Sequence, residues 1–152
     1  SKVENGRTIP SLPVLFGLIR ALNSDVASFF EDIVVDHPPA YLHQKAKSYT
    51  PFQKEDATGF HYQQILSQAF PSNAVEVTLL TIDPGAHREM VTTDGQELLF
   101  LLEGNMVVRL REEEIEVHEG DAFFFDGRIP HVPTNPFDRP ARMLVVIFLK
   151  SV

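Results

Sequence analysis

Two polar residues, Glu97 and His131, have side chains that could do chemistry within otherwise apolar segments. Glu97 begins the run ELLFLLEG, and His131 follows a proline in the run IPHVPTN. A carboxylate that faces an apolar interior is costly unless it is paired. We therefore expect Glu97 to face protonated His131, a water network, or a ligand with cationic or hydrogen-bonding groups. Two alternatives remain open: Glu97 could be a solvated strand residue, and His131 a hydrogen-bonded core histidine.

The elements that must position these residues are short β-strands. From residue 47 onward, apolar residues recur with a period of two, and glycine or proline turns separate many of the runs. Many short strands with turns at close intervals are typical of a closed sandwich or barrel. The pattern predicts a mainly β domain with strands at 47–53, 59–67, 74–83, 87–93, 97–103, 106–111, 114–118, 121–125, 129–134 and 141–149.

The first part of the chain has helical character. Leu12, Leu15, Phe16, Ile19 and Leu22 recur at helical spacing. A last short helix, capped by Ser24, is predicted to contain Val26, Phe29 and Phe30. We therefore divide the chain into a helical segment at 1–32, a linker with two consecutive prolines at 33–46, and a β domain at 47–152.

Composition excludes several classes of protein. The chain has no cysteine, which rules out a disulfide scaffold, a four-cysteine zinc site and a thiol nucleophile. Its formal net charge is −8, so it has no long-range attraction to nucleic-acid phosphates. No stretch is long and apolar enough to span a bilayer, and no basic apolar leader opens the chain. We expect a cytoplasmic protein without a membrane partner.

Two segments of the β domain resemble the signature motifs of the cupin family. In the first, Gly85, Glu97 and Gly104 match the family's spacing, and in the second, Gly120-Asp121, Pro130-His131 and Asn135 match it. Asp126 and Arg128 stand where the family more often has proline and glycine. The resemblance covers about residues 74–149. It implies a double-stranded β-helix, which is a jelly-roll barrel, after a short helical segment.

The resemblance also implies a metal site, but this chain departs from the pattern there. The two histidines of the first motif fall on Val91 and Thr93, so only Glu97 and His131 remain as ligands. His87 lies four residues before Val91, about 13 Å along a strand. We therefore expect no metal, no cofactor and no catalytic residue, and hence no enzyme. We predict instead a ligand site in the barrel formed by Val91, Thr93, Glu97, Leu99, Phe125 and His131.

Residues 1–30 resemble the second half of an Xre/Cro-type helix-turn-helix DNA-binding domain. Ser1-Lys2-Val3-Glu4-Asn5-Gly6-Arg7 matches the end of the recognition helix, and Pro10-Ser11-Leu12 and Phe29-Phe30 follow in the family's order. The resemblance implies phosphate contacts by Lys2, Asn5 and Arg7 in an intact regulator. Because the part of the helix that reads base edges is missing, the chain is expected to be a truncated regulator that does not bind DNA by itself.

The two resemblances together imply a transcriptional regulator whose cupin domain senses an unknown small-molecule effector. Such regulators read paired half-sites, so we expect a homodimer, with DNA bound only through the complete N-terminal domain. Two alternatives from other classes remain. One is a small metal-dependent cupin enzyme, a dioxygenase or isomerase. The other is a dimerisation barrel that binds no ligand.

Overall fold

A computed structural model describes residues 12–22, 39–54 and 56–150 of the chain. Within these ranges there is one α-helix, one short 3-10 helix at Ala46–Ser48, and nine strands. The helix is α1 (Leu12–Ala21), and the strands are β1 (Thr50–Phe52), β2 (Ala57–Ala69), β3 (Asn73–Arg88), β4 (Gly95–Glu103), β5 (Asn105–Leu110), β6 (Glu113–His118), β7 (Ala122–Asp126), β8 (His131–Thr134) and β9 (Ala141–Lys150).

The strands form two antiparallel sheets that enclose one core. The larger sheet has the order β1-β2-β3-β9-β4-β7, and the smaller one has the order β6-β5-β8. Side chains alternate between core and surface along each strand, as in β9, where every second residue is buried. This is the jelly-roll architecture and mainly β class that the sequence predicts. The fully buried core side chains include Ile82, Leu101, Met106, Met143 and Ile147.

One strand prediction is wrong. Residues 87–93 do not form a separate strand, because β3 continues through Pro84-Gly85 as far as Arg88. Gly85 takes a φ of 70°, which a glycine adopts without steric cost, so the strand bends there instead of ending. After Arg88 the chain is irregular, and Val91 alone forms a bridge to His131.

The turn before β8 explains why Asp126 and Arg128 suit this chain. The guanidinium of Arg128 donates hydrogen bonds to both carboxylate oxygens of Asp126, the shortest at 2.9 and 2.6 Å. These bonds lower the pKa of Asp126 to about 2. The backbone N–H of Arg128 also donates to the same carboxylate, at 3.1 Å. The ion pair between Asp126 and Arg128 therefore stabilises this turn in place of the proline and glycine that the family more often has there.

Helix α1 packs against the barrel through one face. Phe16 and Ile19 are buried in the common core. Arg20 forms an ion pair with Asp94, just before β4, and donates to the carbonyl of Lys150 at the end of β9, at 3.3 Å. Of the predicted helical face, Phe16 and Ile19 are buried and Leu15 is partly buried, whereas Leu22 lies beyond the helix end and is 74% exposed.

Several sequence-based predictions fall outside the described residues. They concern Lys2, Asn5 and Arg7, the capping Ser24, and the last helix with Val26, Phe29 and Phe30. Of the predicted linker, residues 39–45 are exposed and have no regular secondary structure. Among the residues that the structure describes, no helix is long and apolar enough to cross a membrane.

Candidate functional site

The two sheets enclose a cavity with a mixed apolar and polar lining. The cavity has a water-accessible volume of about 30 Å³. Its empty volume is about 500 Å³ when the open mouth is included. The enclosed part holds about two water molecules. The lining consists of Phe52, Lys54, Tyr62, Thr78, Leu80, Arg88, Val91, Glu97, Leu99, Val108, His131, Pro133, Val145 and Ile147.

Glu97 and His131 meet inside this cavity. Glu97 is on β4 and His131 begins β8, and the side chains are 6% and 3% exposed. The two backbone hydrogen bonds between His131 and Val91, both 3.0 Å, fix the position of the histidine. Its Nδ1 lies 2.8 Å from the carbonyl oxygen of Ile129, and its Nε2 lies 3.4 Å from Oε1 of Glu97. Both ring nitrogens thus face oxygen acceptors, which the imidazolium form satisfies.

The surroundings of Glu97 favour its charged form. Burial alone would raise its pKa, but the contact and positive charge of His131 lower it, with smaller contributions from Lys54 and the Thr93 hydroxyl. The net result is a pKa below the ordinary carboxyl range. The cavity therefore holds a buried carboxylate beside an imidazole, which can accept and donate protons or hydrogen bonds.

A second buried carboxylate, Glu76, lies close to this pair and was missed from the sequence. Glu76 of β3 and Glu97 of β4 both pair with Ile147 of the strand between them, so the three residues form one row across the sheet. Glu76 is 1% exposed, and neither of its carboxylate oxygens has a hydrogen-bond partner among the described residues. Burial raises its pKa above the ordinary range, and the charge of Glu97 adds to the rise.

Thr78 extends the polar patch along β3. It lies two residues from Glu76 on the same inward face and lines the cavity. Its hydroxyl oxygen is buried without a hydrogen-bond partner in the described part of the chain. Thr78 and Glu97 line the cavity, and Glu76 lies next to this lining in the same row as Glu97. Buried polar atoms without partners are rare in folded proteins, which makes this group a candidate binding site.

A cationic and aromatic group forms another part of the lining. Arg88 donates a 2.8 Å hydrogen bond to the hydroxyl of Tyr62, and its guanidinium lies 5.0 Å from the centre of the Phe60 ring. Lys54, in the connection between β1 and β2, also lines the cavity. Arg88 is 8% exposed, and it has the same strand parity as the inward-facing Thr78 and Leu80 of β3.

Four of the six predicted ligand-binding residues line the cavity, namely Val91, Glu97, Leu99 and His131. Phe125 is behind this lining, with its ring edge against His131 and 4.8 Å between the ring centres. Thr93 is buried, but it is not part of the lining. Ligand contact by these six residues stays a prediction. His87 points outward, with an 81% exposed side chain, and cannot complete a site.

The donor set does not fit the metal that the cupin resemblance implies. Among the described residues, no three histidine, aspartate, glutamate or cysteine side chains lie close enough to hold a metal ion. Val91 and Thr93 occupy the places of the two imidazole ligands, and valine has no donor atom. No metal-dependent step is therefore derived for this cavity.

The sequence contained no signal for Glu76 or for Lys54. In AVEVTLLTI, Val75, Val77 and Leu79 form the apolar alternate set, so the period of two places Glu76 and Thr78 on the outward face. The structure buries the opposite set, which includes both polar residues. Lys54 lies in a turn next to other polar residues, where its side chain is expected to be solvated, so only the folded structure brings it to the cavity.

Comparison with known proteins supports a cupin domain. The family model described as "Cupin domain" matches residues 78–147. No curated protein matches the chain. Because all of the similar solved structures described below share less than 25% identity with the chain, they show the fold alone.

Three similar solved structures illustrate the range of proteins with this fold. A predicted oxalate decarboxylase from Thermotoga maritima is 17% identical, with a TM-score of 0.57 over 71% of this chain and 99% of that one. The polyketide cyclase RemF from Streptomyces resistomycificus is 16% identical, with a TM-score of 0.60 over 72% and 80%. The cupin domain of an XRE-family transcriptional regulator from Enterobacter cloacae is 16% identical, with a TM-score of 0.54 over 59% and 96%.

These neighbours correct one expectation. The loss of the two histidines led us to predict that the protein is not an enzyme. The same fold, however, is found in proteins named as a decarboxylase, a polyketide cyclase and a sugar phosphate isomerase. The fold therefore gives no support to a purely non-enzymatic assignment.

Proposed function

We propose that this cupin domain is the small-molecule-sensing part of an Xre-type transcriptional regulator that acts as a homodimer. The observation that carries the proposal is the cavity inside the barrel, in which Glu97, His131 and Thr78 lie among apolar side chains. A structural barrel without a ligand gains nothing from burying such groups, since each costs free energy when it is unpaired. A few convergent polar groups in an apolar cavity are typical of a ligand site.

The N-terminal segment supports the regulatory part of the proposal. Residues 1–30 resemble the second half of an Xre/Cro-type DNA-binding domain, and one protein with the same fold is the cupin domain of an XRE-family regulator. Helix α1, which belongs to this segment, is attached to the barrel through Arg20 at the start of β4 and the end of β9. Helix α1 and the barrel are therefore in physical contact.

The mechanism that follows is linkage between effector binding and the arrangement of two DNA-binding domains. An effector shifts that arrangement only by its difference in affinity for the two states. A tenfold difference corresponds to about 1.4 kcal/mol. Because β4 carries Glu97 and begins next to Asp94, a ligand that moves Glu97 also acts on the strand to which α1 is attached.

A thermal-shift screen of metabolites with the full chain tests ligand binding. We expect at least one compound to raise the melting temperature in a saturable way, because a ligand that binds only the folded form stabilises it. Val91→Phe, which fills the cavity, should abolish that shift. Val107→Phe, on a half-buried position outside the lining, should retain it. Equal shifts in both variants would contradict binding in the barrel.

Regulation is tested on the protein expressed from its own gene. After crosslinking in the cell, the protein should retain specific chromosomal fragments, and the compound from the screen should change their occupancy. Val91→Phe should make occupancy insensitive to the compound while leaving the set of fragments unchanged. Recovery of random fragments would contradict the regulatory role.

Catalysis in the same cavity is the second candidate function, and the paired Glu97 and His131 favour it. A carboxylate and an imidazole 3.4 Å apart in a mostly enclosed space can move a proton on a bound substrate. The compound that binds is incubated with the protein and examined by mass spectrometry and NMR. Conversion that is lost in His131→Asn supports an enzyme, whereas recovery of the unchanged compound supports a sensor.

A further inference from the structure

We propose that the inner end of the cavity, around Glu76, Thr78 and Glu97, is a subsite for the primary ammonium group of a small molecule. The inference rests on the proposed ligand-binding function and specifies the chemistry of the ligand. Its basis is a set of four buried oxygen atoms. Both carboxylate oxygens of Glu76 and Oγ1 of Thr78 have no hydrogen-bond partner in the described part of the chain, and Oε1 of Glu97 lies 3.4 Å from Nε2 of His131.

The geometry brings these atoms together from two strands. Glu76 and Glu97 flank Ile147 in one row, so their backbones lie two strand spacings apart, about 10 Å. Both glutamate side chains are buried, and the Ile147 side chain between them is buried as well. Thr78 lies one inward position along β3 and lines the cavity, as Glu97 and Ile147 do, whereas Glu76 lies next to this lining. A group bound over Ile147 therefore has oxygen atoms of β3 on one side and of β4 on the other.

The chemistry of these atoms selects the ligand group. Three of the four are carboxylate oxygens, which only accept hydrogen bonds when ionised, and a hydroxyl oxygen also accepts. A primary ammonium supplies three N–H donors and the positive charge that a buried carboxylate requires. A directly coordinated metal ion does not fit, because the described residues contain no cluster of three ligating side chains.

The size of the space fits the same group. The enclosed volume of about 30 Å³ accommodates one or two water-sized groups, and an ammonium head is of that size. The remainder of the molecule would extend along the lining, where Phe52, Lys54 and Arg88 are found. Two classes of molecule share this chemistry. One is a simple alkylamine, and the other is an amino acid whose carboxylate would face Lys54 and Arg88.

The direct test measures binding of propylammonium chloride to the full chain by thermal shift and calorimetry. We expect a saturable stabilisation that n-propanol and sodium propionate at the same concentration and ionic strength do not give. L-Alanine and β-alanine form the second arm, and tighter binding of either would identify an amino acid as the ligand class. Equal effects of propylammonium and propanol would overturn the proposal.

Substitutions locate the subsite. Glu76→Gln keeps the shape but removes the charge, and it should weaken propylammonium binding about tenfold, the loss of one charge-assisted hydrogen bond. Thr78→Val should weaken it severalfold. Glu114→Gln, on an exposed position of β6, should leave it unchanged. Unaltered affinity in Glu76→Gln would overturn the subsite, and the melting curve of that variant shows that it remains folded.

The outcomes separate this inference from the proposed function. One outcome is a metabolite without an ammonium group that binds the wild type but does not bind Val91→Phe. This result would refute the ammonium subsite and would still support a sensing barrel. Failure of every compound, propylammonium included, would contradict both.

Discussion

At the scale of single residues, the buried carboxyl groups of Glu76 and Glu97 give the barrel opposite responses to pH. Both carboxyl groups are buried, and burial by itself raises the pKa of each. Glu97 has His131 beside it, which lowers its pKa overall, whereas for Glu76 the effect of burial outweighs the lowering by the charge of Lys54, and its pKa stays raised. Each of these pKa shifts therefore makes the free energy of unfolding depend on pH.

Glu76→Gln is predicted to stabilise the protein near neutral pH by about 1 kcal/mol. A carboxyl whose pKa is raised in the folded state binds its proton more tightly there than in the unfolded chain. Stability therefore falls as pH rises from the ordinary carboxyl pKa to the raised one, and the loss is complete above both. Urea unfolding between pH 4 and pH 8 measures this slope, which the glutamine variant should lack. A variant less stable than the wild type at every pH would contradict the prediction.

His131→Asn is predicted to destabilise the protein by about 3 kcal/mol at pH 7, the lower end for breaking a buried pair. The lowered pKa of Glu97 means that its charged form stabilises the fold above the ordinary carboxyl pKa, and that this contribution is lost as pH falls through the lowered value. The stability lost in His131→Asn should therefore be smaller at acidic pH, because the unpaired Glu97 carboxylate becomes protonated there.

A double-mutant cycle with Glu97→Gln checks that the two residues act as a pair. The double variant should be more stable than the sum of the single losses predicts. The exposed pair His118 and Glu116, whose side chains are 3.1 Å apart, is the control, and its coupling should stay below about 0.5 kcal/mol. Equal coupling energies in the two pairs would show that burial has no part in the effect.

Sequence alone could locate part of this site. Glu97 and His131 were found because their positions combine an inward strand parity with a family motif. Arg88 was not among the predicted site residues, because the pattern predicted that one strand ends at residue 83 and another begins at residue 87. In the structure β3 continues through Gly85 to Arg88, which keeps the inward parity of Thr78 and Leu80. Whether a strand ends or continues at a Pro-Gly pair requires coordinates.

At the scale of elements, the start of β4 is held so closely to β9 that only glycine fits at position 95. A Cβ there would lie closer to the carbonyl oxygen of Phe148 than real Cβ atoms approach. The period of two was predictable from the sequence, because each strand has one buried face. This close approach was not predictable, since it depends on which strand becomes the neighbour of β4.

Gly95→Ala is predicted to destabilise the protein by about 2–3 kcal/mol, since neither backbone can move without breaking the pairing of β4 with β9. Gly17→Ala, in α1, should instead stabilise it by about 0.5–1 kcal/mol, because nothing lies within 4 Å of the added methyl group and alanine is the better helix former. Chemical denaturation of both variants checks the two signs, and equal signs would contradict the argument.

Docking of α1 is tested by two substitutions within the same helix. Ile19 is 1% exposed and Leu18 is 42% exposed. Ile19→Ala should cost about 2–4 kcal/mol and increase hydrogen exchange across residues 12–22, whereas Leu18→Ala should cost less than about 1 kcal/mol. Similar costs for both would mean that α1 does not pack on the barrel through the face that contains Ile19.

At the scale of the whole molecule, an exposed aromatic patch occupies the outer face of β9, β4 and β7. Phe100, Phe124 and Phe148 are 37%, 61% and 40% exposed. β7 is the edge strand of the larger sheet, so both its face and its edge are open. Apolar groups that gather on one face are typical of an interaction surface, which supports the proposed homodimer.

Phe124→Ser is predicted to weaken self-association at least tenfold in analytical ultracentrifugation, because it removes the most exposed aromatic side chain of the patch. Phe70→Ser, whose residue is 38% exposed and lies after β2, is the matched control and should have no effect. Each chain carries a net charge of −8, so added salt should strengthen the dimer by screening repulsion. Equal association of the two variants would place the interface elsewhere.

Tyr62, whose hydroxyl accepts a hydrogen bond from Arg88, is a tyrosine in the wall of the cavity. The chain has no tryptophan, so its ultraviolet emission comes from three tyrosines, of which Tyr41 is exposed, Tyr49 is half-buried and Tyr62 is buried in the cavity wall. A molecule that enters the barrel changes the surroundings of the one buried phenol. The protein thus contains a native optical reporter, and occupancy can be followed by fluorescence without attaching a dye.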